Sequence, residues 1–168
     1  MNISPGAARL ELALLDSKAQ VLDKLDVFTH LTNLGLPPEL ILRLEELWEN
    51  SKVVGKKIVH IGKILVLEIM RFIGENSNLA TGLALGAAVG ALVSLIPFLG
   101  PVLAPLTMTI GAAFGSVVGS RLDRSQNPEK GAVGIFQEVI LIAKKFFELL
   151  AAVFIALKDD LSNSNTHI

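Results

Sequence analysis

Apolar side chains recur at three- and four-residue intervals along most of this chain, a spacing typical of amphipathic helices. The pattern predicts a helix over about residues 6–33, which Gly35 ends, and a second helix over about 38–50, which Pro37 and Pro38 open. A third helix is predicted over about 53–74 and a last helix over about 135–158. Between these last two, the polar positions almost vanish. We therefore expect an all-α protein: a helical bundle of amphipathic helices around a central apolar helical hairpin that inserts into a membrane.

The central apolar segment, residues 76–120, contains no Asp, Glu, Lys or Arg over 45 residues. One crossing of a ~30 Å hydrocarbon core takes ~20 residues, so the segment is too long for a single span. Four turn-forming residues divide it: Pro97, Gly100, Pro101 and Pro105. The prediction is a hairpin with legs at about 79–96 and 103–120. Each leg would be about 27 Å long as a helix, which leaves shallow insertion open.

Each predicted leg carries the pattern G-x-x-x-G-x-x-x-G. The glycines are Gly82, Gly86 and Gly90 in the first leg, and Gly111, Gly115 and Gly119 in the second. A glycine inside a helix costs ~1 kcal/mol relative to alanine, so six of them require a reason. Inside lipid, residues without a Cβ atom let two helices pack closely. We therefore expect these glycines to serve helix packing and oligomerisation, either between the legs or between subunits.

Charge is unevenly distributed along the chain. Residues 1–50 carry four cationic and eight anionic side chains, whereas residues 51–75 carry five cationic and two anionic ones. As a helix, residues 53–74 would place most of their charges within an arc of about 140°. This basic stripe favours contact with lipid headgroups, although an ordinary bundle helix with a solvated face would show the same pattern. The predicted headgroup contacts are Lys56, Lys57, Lys63 and Arg71, with Arg121 and Arg124 beyond the second leg.

The last predicted helix has a narrow polar stripe that includes Lys144, Lys145 and Glu148. If this helix crossed a membrane, the stripe would have to face a water-filled lumen or another helix. The alternative is a helix in the core of a bundle. The chain thus divides into five predicted segments. They are an acidic helical pair (1–52), a basic interfacial helix (53–75), the glycine-rich hairpin (76–120), a loop with the last helix (121–158) and a disordered tail (159–168).

The remaining composition favours no enzyme. Hydrophobic residues make up 51% of the chain and charged residues 18%, with a mean hydropathy of +0.57, which is unusually apolar for a soluble domain. There is no cysteine, the three histidines lie far apart, and no known catalytic or phosphate-binding motif occurs. We expect no cofactor, no metal site and no nucleic-acid partner. The first residues lack the basic start and apolar run of a signal peptide.

The layout of residues 53–158, amphipathic helices around an uncharged apolar hairpin, resembles the helical pore-forming proteins such as colicin pore domains. That resemblance implies a soluble latent form that buries the hairpin and later inserts it. The first hypothesis is therefore a homo-oligomeric protein that permeabilises a lipid bilayer from the cytoplasmic side. The second is a membrane-anchored adaptor or scaffold whose acidic helices (6–50) bind a protein partner. The third is a soluble helical bundle with a permanently buried hairpin.

Overall fold

The computed structural model describes the backbone of residues 2–124, 132–162 and 166–167, and the side chains of residues 2–113 and 134–162. Helices account for 78% of the described residues, which confirms the all-α prediction at that level. The helices are α1 (Pro5–Gln20), α2 (Lys24–Asn33), α3 (Pro38–Trp48), α4 (Ile61–Glu75), α5 (Thr81–Leu95), α6 (Gly100–Arg124), α7 (Ala132–Phe146), α8 (Glu148–Ala156) and α9 (Lys158–Leu161). Three short strands are β1 (Ser51–Val54), β2 (Lys57–Val59) and β3 (Thr166–His167).

Helix α5 lies at the centre of the bundle. It packs against α4, α6, α7 and α8, and every residue from Ala84 to Leu92 is buried except Gly86 and Gly90, which are partly buried. A helix that is apolar on all sides has no face for water and must be surrounded. Helices α3 and α1 form an outer layer of this cover. Helix α3 packs on α4 and α6, and helix α1 packs on α4 and α8.

The predicted first helix (6–33) is divided into α1 and α2, so its continuity was wrong. The chain leaves the helical conformation after Val21, and Asp23 starts α2 as an N-cap whose side chain accepts a hydrogen bond from the backbone N–H of Leu25 at 3.0 Å. Aspartate is a strong N-cap because its side chain satisfies an otherwise unpaired backbone N–H. The break turns α2 so that Phe28 packs edge-on against Trp48 of α3, with 5.6 Å between ring centroids.

The predicted basic helix (53–74) is also wrong in its first third. Residues 51–59 form an antiparallel hairpin in which Val54 pairs with Lys57 across the two turn residues Gly55 and Lys56. Gly55 has a φ of +66°, the conformation that a tight two-residue hairpin turn needs at its first position. β-Branched side chains on both sides of this turn favour strands. The helix itself, α4, begins only at Ile61.

The predicted last helix (135–158) consists of three helices, since the chain departs from regular helix at Phe147 and at Leu157. Phe147 is fully buried, and its ring lies 5.8 Å from that of Phe72 on α4 and 5.0 Å from that of Phe146. The predicted disordered tail (159–168) contains the end of α9 and the strand β3, which pairs antiparallel with β1. Regular structure thus occupies part of the segment predicted to be disordered, and residues 163–165 and 168 of that segment lie outside the described residues.

Gly62 is required by a close backbone approach. A Cβ atom added at Gly62 would overlap the carbonyl oxygen of Leu47, and the N–H of Gly62 donates to the carbonyl of Asn50 at 2.9 Å. This contact joins the start of α4 to the end of α3. By contrast, a Cβ added at Gly111 on α6 meets nothing within 4 Å.

These two glycines give a matched pair of stability predictions. Gly62→Ala should lower the free energy of unfolding by about 1–3 kcal/mol, because the backbone of α3 must move to admit the methyl group. Gly111→Ala should raise it by about 0.5–1 kcal/mol, because alanine restricts the unfolded chain and has space in the folded one. Urea denaturation followed by circular dichroism measures both. Equal effects of the two substitutions would contradict the packing described here.

Candidate functional site

The apolar hairpin predicted from the sequence is present as the pair α5 and α6. The legs pack on each other and are joined through Ile96 and a 3-10 turn over Pro97–Leu99, after which Gly100 starts α6 in helical conformation. Proline at the start of a helical turn needs no backbone N–H, so this connection leaves few backbone groups unpaired. Pro101 lies in the first turn of α6, whereas Pro105 lies inside that helix. The second leg thus begins earlier than predicted.

Among the described glycines of the predicted ridges, Gly86 and Gly90 face side chains of other residues rather than glycines of the other leg. A Cβ added at Gly86 would lie 3.6 Å from the ring of Phe136 on α7 and 3.7 Å from a methyl group of Ile110 on α6, both ordinary contacts. A Cβ added at Gly90 would lie 3.8 Å from Ile140 on α7. Gly82 is partly buried and Gly111 is exposed. Gly115 and Gly119 lie outside the residues whose side chains are described, so the packing role of all six glycines stays a prediction.

Helix α3 covers the second leg, a contact that the sequence did not reveal. The Nε of Arg43 donates to the hydroxyl oxygen of Thr109 at 3.3 Å, while that hydroxyl donates to the carbonyl oxygen of Pro105 at 2.8 Å. Arg43 also pairs with Glu46 at 3.0 Å. The acidic helical pair therefore reaches the hairpin through a chain of hydrogen bonds. The segment predicted to bind a partner (6–50) thus also covers part of the hairpin.

The four predicted headgroup residues before the hairpin do not form one stripe. Lys56 and Lys57 are exposed at the tip of the β-hairpin. The Nζ of Lys63 lies 5.5 Å from the centre of the Trp48 ring, and the guanidinium of Arg71 lies 5.2 Å from that of Phe146. Such cation–π contacts contribute about 0.5–1 kcal/mol each at exposed sites. Two of the four cations are thus engaged within the bundle. Arg121 and Arg124 lie outside the described side chains.

A buried carboxylate fixes α1 to the start of α4. Asp16, which is 7% exposed, accepts the backbone N–H of His60 at 2.7 Å and lies 3.2 Å from the ring Nδ1 of that residue. Its other oxygen accepts from the side-chain amide of Gln20 at 2.5 Å. Because α1 and α4 both belong to the cover of the hairpin, this cluster joins two parts of that cover.

An ion pair on the surface links α2 to the end of α3. The Nζ of Lys24 donates to a carboxylate oxygen of Glu49 at 2.9 Å, and this hydrogen bond raises the pKa of Lys24 above its ordinary value. Both side chains are exposed, where such pairs contribute little to stability.

The predicted lumen-facing residues lie on the surface of the bundle. Lys145 and Glu148 are exposed and Lys144 is partly buried. Glu148 lines an open cavity of about 330 Å³ between the N-terminal segment, the end of α5 and α8. The other residues that line it are mainly apolar, including Ile3, Leu95 and Ile155.

Within the described residues, no helix is both long enough and apolar enough to span a bilayer. Comparisons with protein-family models, curated proteins and solved structures gave no match.

Asp16→Ala should lower the free energy of unfolding by about 1–3 kcal/mol, because the backbone N–H of His60 loses its acceptor in a part-buried position. Asp16→Asn should recover much of the loss, since the amide oxygen can still accept that hydrogen bond. Asp26→Ala, at an exposed position of α2, is the control and should change stability by about 0.5 kcal/mol at most. Urea titration of the three variants measures the ranking. An Asp16→Ala variant as stable as the control would show that the cluster does not hold the cover.

Proposed function

We propose that this chain inserts its apolar hairpin into a lipid bilayer and permeabilises it, and that the bundle described here is the latent form. The observation that carries the proposal is the enclosure of α5 by α4, α6, α7 and α8, in a segment without a single charged residue from 76 to 120. Neither leg nor the turn between them would carry a charge into hydrocarbon, where each charge costs at least about 2.5–3.5 kcal/mol.

The composition of the buried face of α5 supports release of the hairpin. Four of its seven fully buried residues are alanines: Ala84, Ala87, Ala88 and Ala91. Stabilisation by burial scales with apolar area, at roughly 25 cal/mol per Å², and alanine buries little. An alanine-rich helix is therefore enclosed closely but held less strongly than a leucine-rich helix of the same length.

The second leg, α6, supports contact with lipid from the outset. Leu103 and Leu106 face the core, whereas Met108 on the opposite side is 74% exposed. Pro105 and Ala112 are exposed on that side as well. Helix α6 carries no charge before Arg121, and a helix with an apolar side in water can meet a bilayer before the bundle opens. Since α5 is only about 22 Å long, we propose shallow insertion of the hairpin as a unit rather than two full spans.

A second candidate function is supported by the surface of α1 and α2. Four apolar side chains of this acidic segment are exposed by half or more: Leu10, Leu14, Val21 and Leu25. An apolar patch among negative charges is typical of a protein-binding surface. It favours the adaptor hypothesis, in which residues 6–50 bind a partner and the hairpin only anchors.

Two exposed positions within the hairpin allow a test that leaves the bundle intact. Ser94 on α5 and Met108 on α6 are both exposed, so aspartate at either should fold normally. Each charge would have to enter lipid with the hairpin, which should reduce insertion at least about fiftyfold. The measurement is release of a self-quenching dye from vesicles of phosphatidylcholine and phosphatidylglycerol. Leu42→Asp, at an exposed position of α3, adds the same charge outside the hairpin as a control.

Dye release by the unsubstituted protein and by Leu42→Asp, together with its loss in Ser94→Asp and Met108→Asp, would support permeabilisation by the hairpin. Vesicle binding without dye release would favour the anchor and adaptor. Equal release by all four proteins would rule out insertion of the hairpin. If no protein bound vesicles, the permanently closed bundle would be the remaining hypothesis.

A further inference from the structure

The outer side of α7 and the start of α8 carries a regular exposed face. Its residues, which we call the α7 face, are Ile135, Glu138, Leu141, Ile142, Lys145 and Leu149, and all six are exposed. At 100° per residue the five residues on α7 fall within an arc of about 120°, and Leu149 follows on α8, just beyond the break at Phe147. Val139 and Ala143 on the opposite side of the same helix are buried, and Phe136 and Ile140 face α5. Helix α7 thus has one apolar side for the bundle and a second apolar side in water.

The two charges of the α7 face have no ion-pair partner among the described side chains of the bundle. Glu138 and Lys145 make no ion pair with any other described side chain. They lie seven residues apart on one helix, about 10 Å along its axis, which is too far for a direct pair. Glu138 is flanked by Ile135, Leu141 and Ile142, the three residues one turn away from it. A surface with four large apolar side chains and one charge of each sign is complementary to a surface of the same composition.

We propose that the α7 face joins two copies of this chain in an antiparallel homodimer. A two-fold axis between Leu141 and Ile142 would place these two residues against their counterparts at the centre. The same axis places Glu138 of each copy opposite Lys145 of the other, because both lie about three and a half residues from the axis. It also places Ile135 near Leu149 of the other copy. One operation therefore pairs both charges and all four apolar side chains, as an isologous interface requires.

A parallel pair of the same helices would not achieve this. In a parallel alignment Glu138 would lie against Glu138 of the other copy, and Lys145 against Lys145. Like charges at close range are unfavourable, so the sign pattern selects the antiparallel arrangement. One helix face per copy is a small interface, so the dimer is expected to be reversible and dependent on concentration.

The absence of cysteine from the chain allows a direct test by disulfide trapping. In Leu141→Cys, the two introduced thiols lie close to the two-fold axis, and mild oxidation should give a covalent dimer in high yield. In Ile135→Cys, the two thiols would lie about 20 Å apart, and no dimer should form. The double variant Ile135→Cys/Leu149→Cys should cross-link again. Leu25→Cys, exposed on α2, controls for random collision.

Charge exchange gives a second, independent measurement in lipid-free buffer. Glu138→Lys should raise the dimer dissociation constant about tenfold by sedimentation equilibrium, because two ion pairs become two repulsions. The double variant Glu138→Lys/Lys145→Glu should restore the original value. Cross-linking of Ile135→Cys alone would overturn the antiparallel arrangement. A monomer at all concentrations would overturn the dimer, and binding of vesicles that Leu141→Glu abolishes would then assign the α7 face to lipid.

Discussion

The burial of α5 is the constraint on which the rest of this structure depends. A helix without a polar face cannot lie on the surface of a protein in water, and this one must be enclosed by neighbours that are themselves amphipathic. Four helices contact it directly: α4, α6, α7 and α8. Its alanines and glycines let those neighbours approach, so Phe136 and Ile140 of α7 reach the backbone region of Gly86 and Gly90. In the bundle, the small residues of α5 therefore allow the neighbouring helices to pack closely around it.

Because its neighbours must enclose α5, the helices predicted over 6–33 and 135–158 are each divided into shorter helices. A straight helix over residues 6–33 could not both pack on α8 and bring Phe28 against Trp48, and the Asp23 cap supplies the change of direction. The hairpin of β1 and β2 turns the chain between α3 and α4, and Gly62 lets these helices meet at their ends. Asp16 then ties α1 to this same junction through His60.

The sequence predicted the helical class and the two legs of the hairpin because both depend on local composition. The prediction failed where one local pattern fitted two structures, or where a contact joins residues that are distant in the sequence. The β-branched residues Val53, Val54, Ile58 and Val59 on both sides of Gly55 were the signal for a hairpin, yet Ile58 and Val59 also fit the apolar side of the helix predicted over 53–74. The role of Gly62 could not be predicted, because it depends on a carbonyl group fifteen positions away on another helix. Conversely, the six regularly spaced glycines were interpreted as helix-packing ridges. The contacts of Gly86, Gly90 and Gly111 do not show glycines of the two legs packed on each other.

The two proposals are coupled through α7. Its inner side encloses α5 and its outer side would join two copies, so a dimer that requires α7 to stay packed on α5 would form from the closed bundle alone. A partner that binds one form alone stabilises that form in proportion to its concentration. Dimerisation would therefore hold the hairpin enclosed, and dilution or competition for the α7 face would favour its release. In that case the latent state is maintained by association of the protein with itself, and the loss of a partner copy becomes the event that makes the apolar hairpin available to a bilayer.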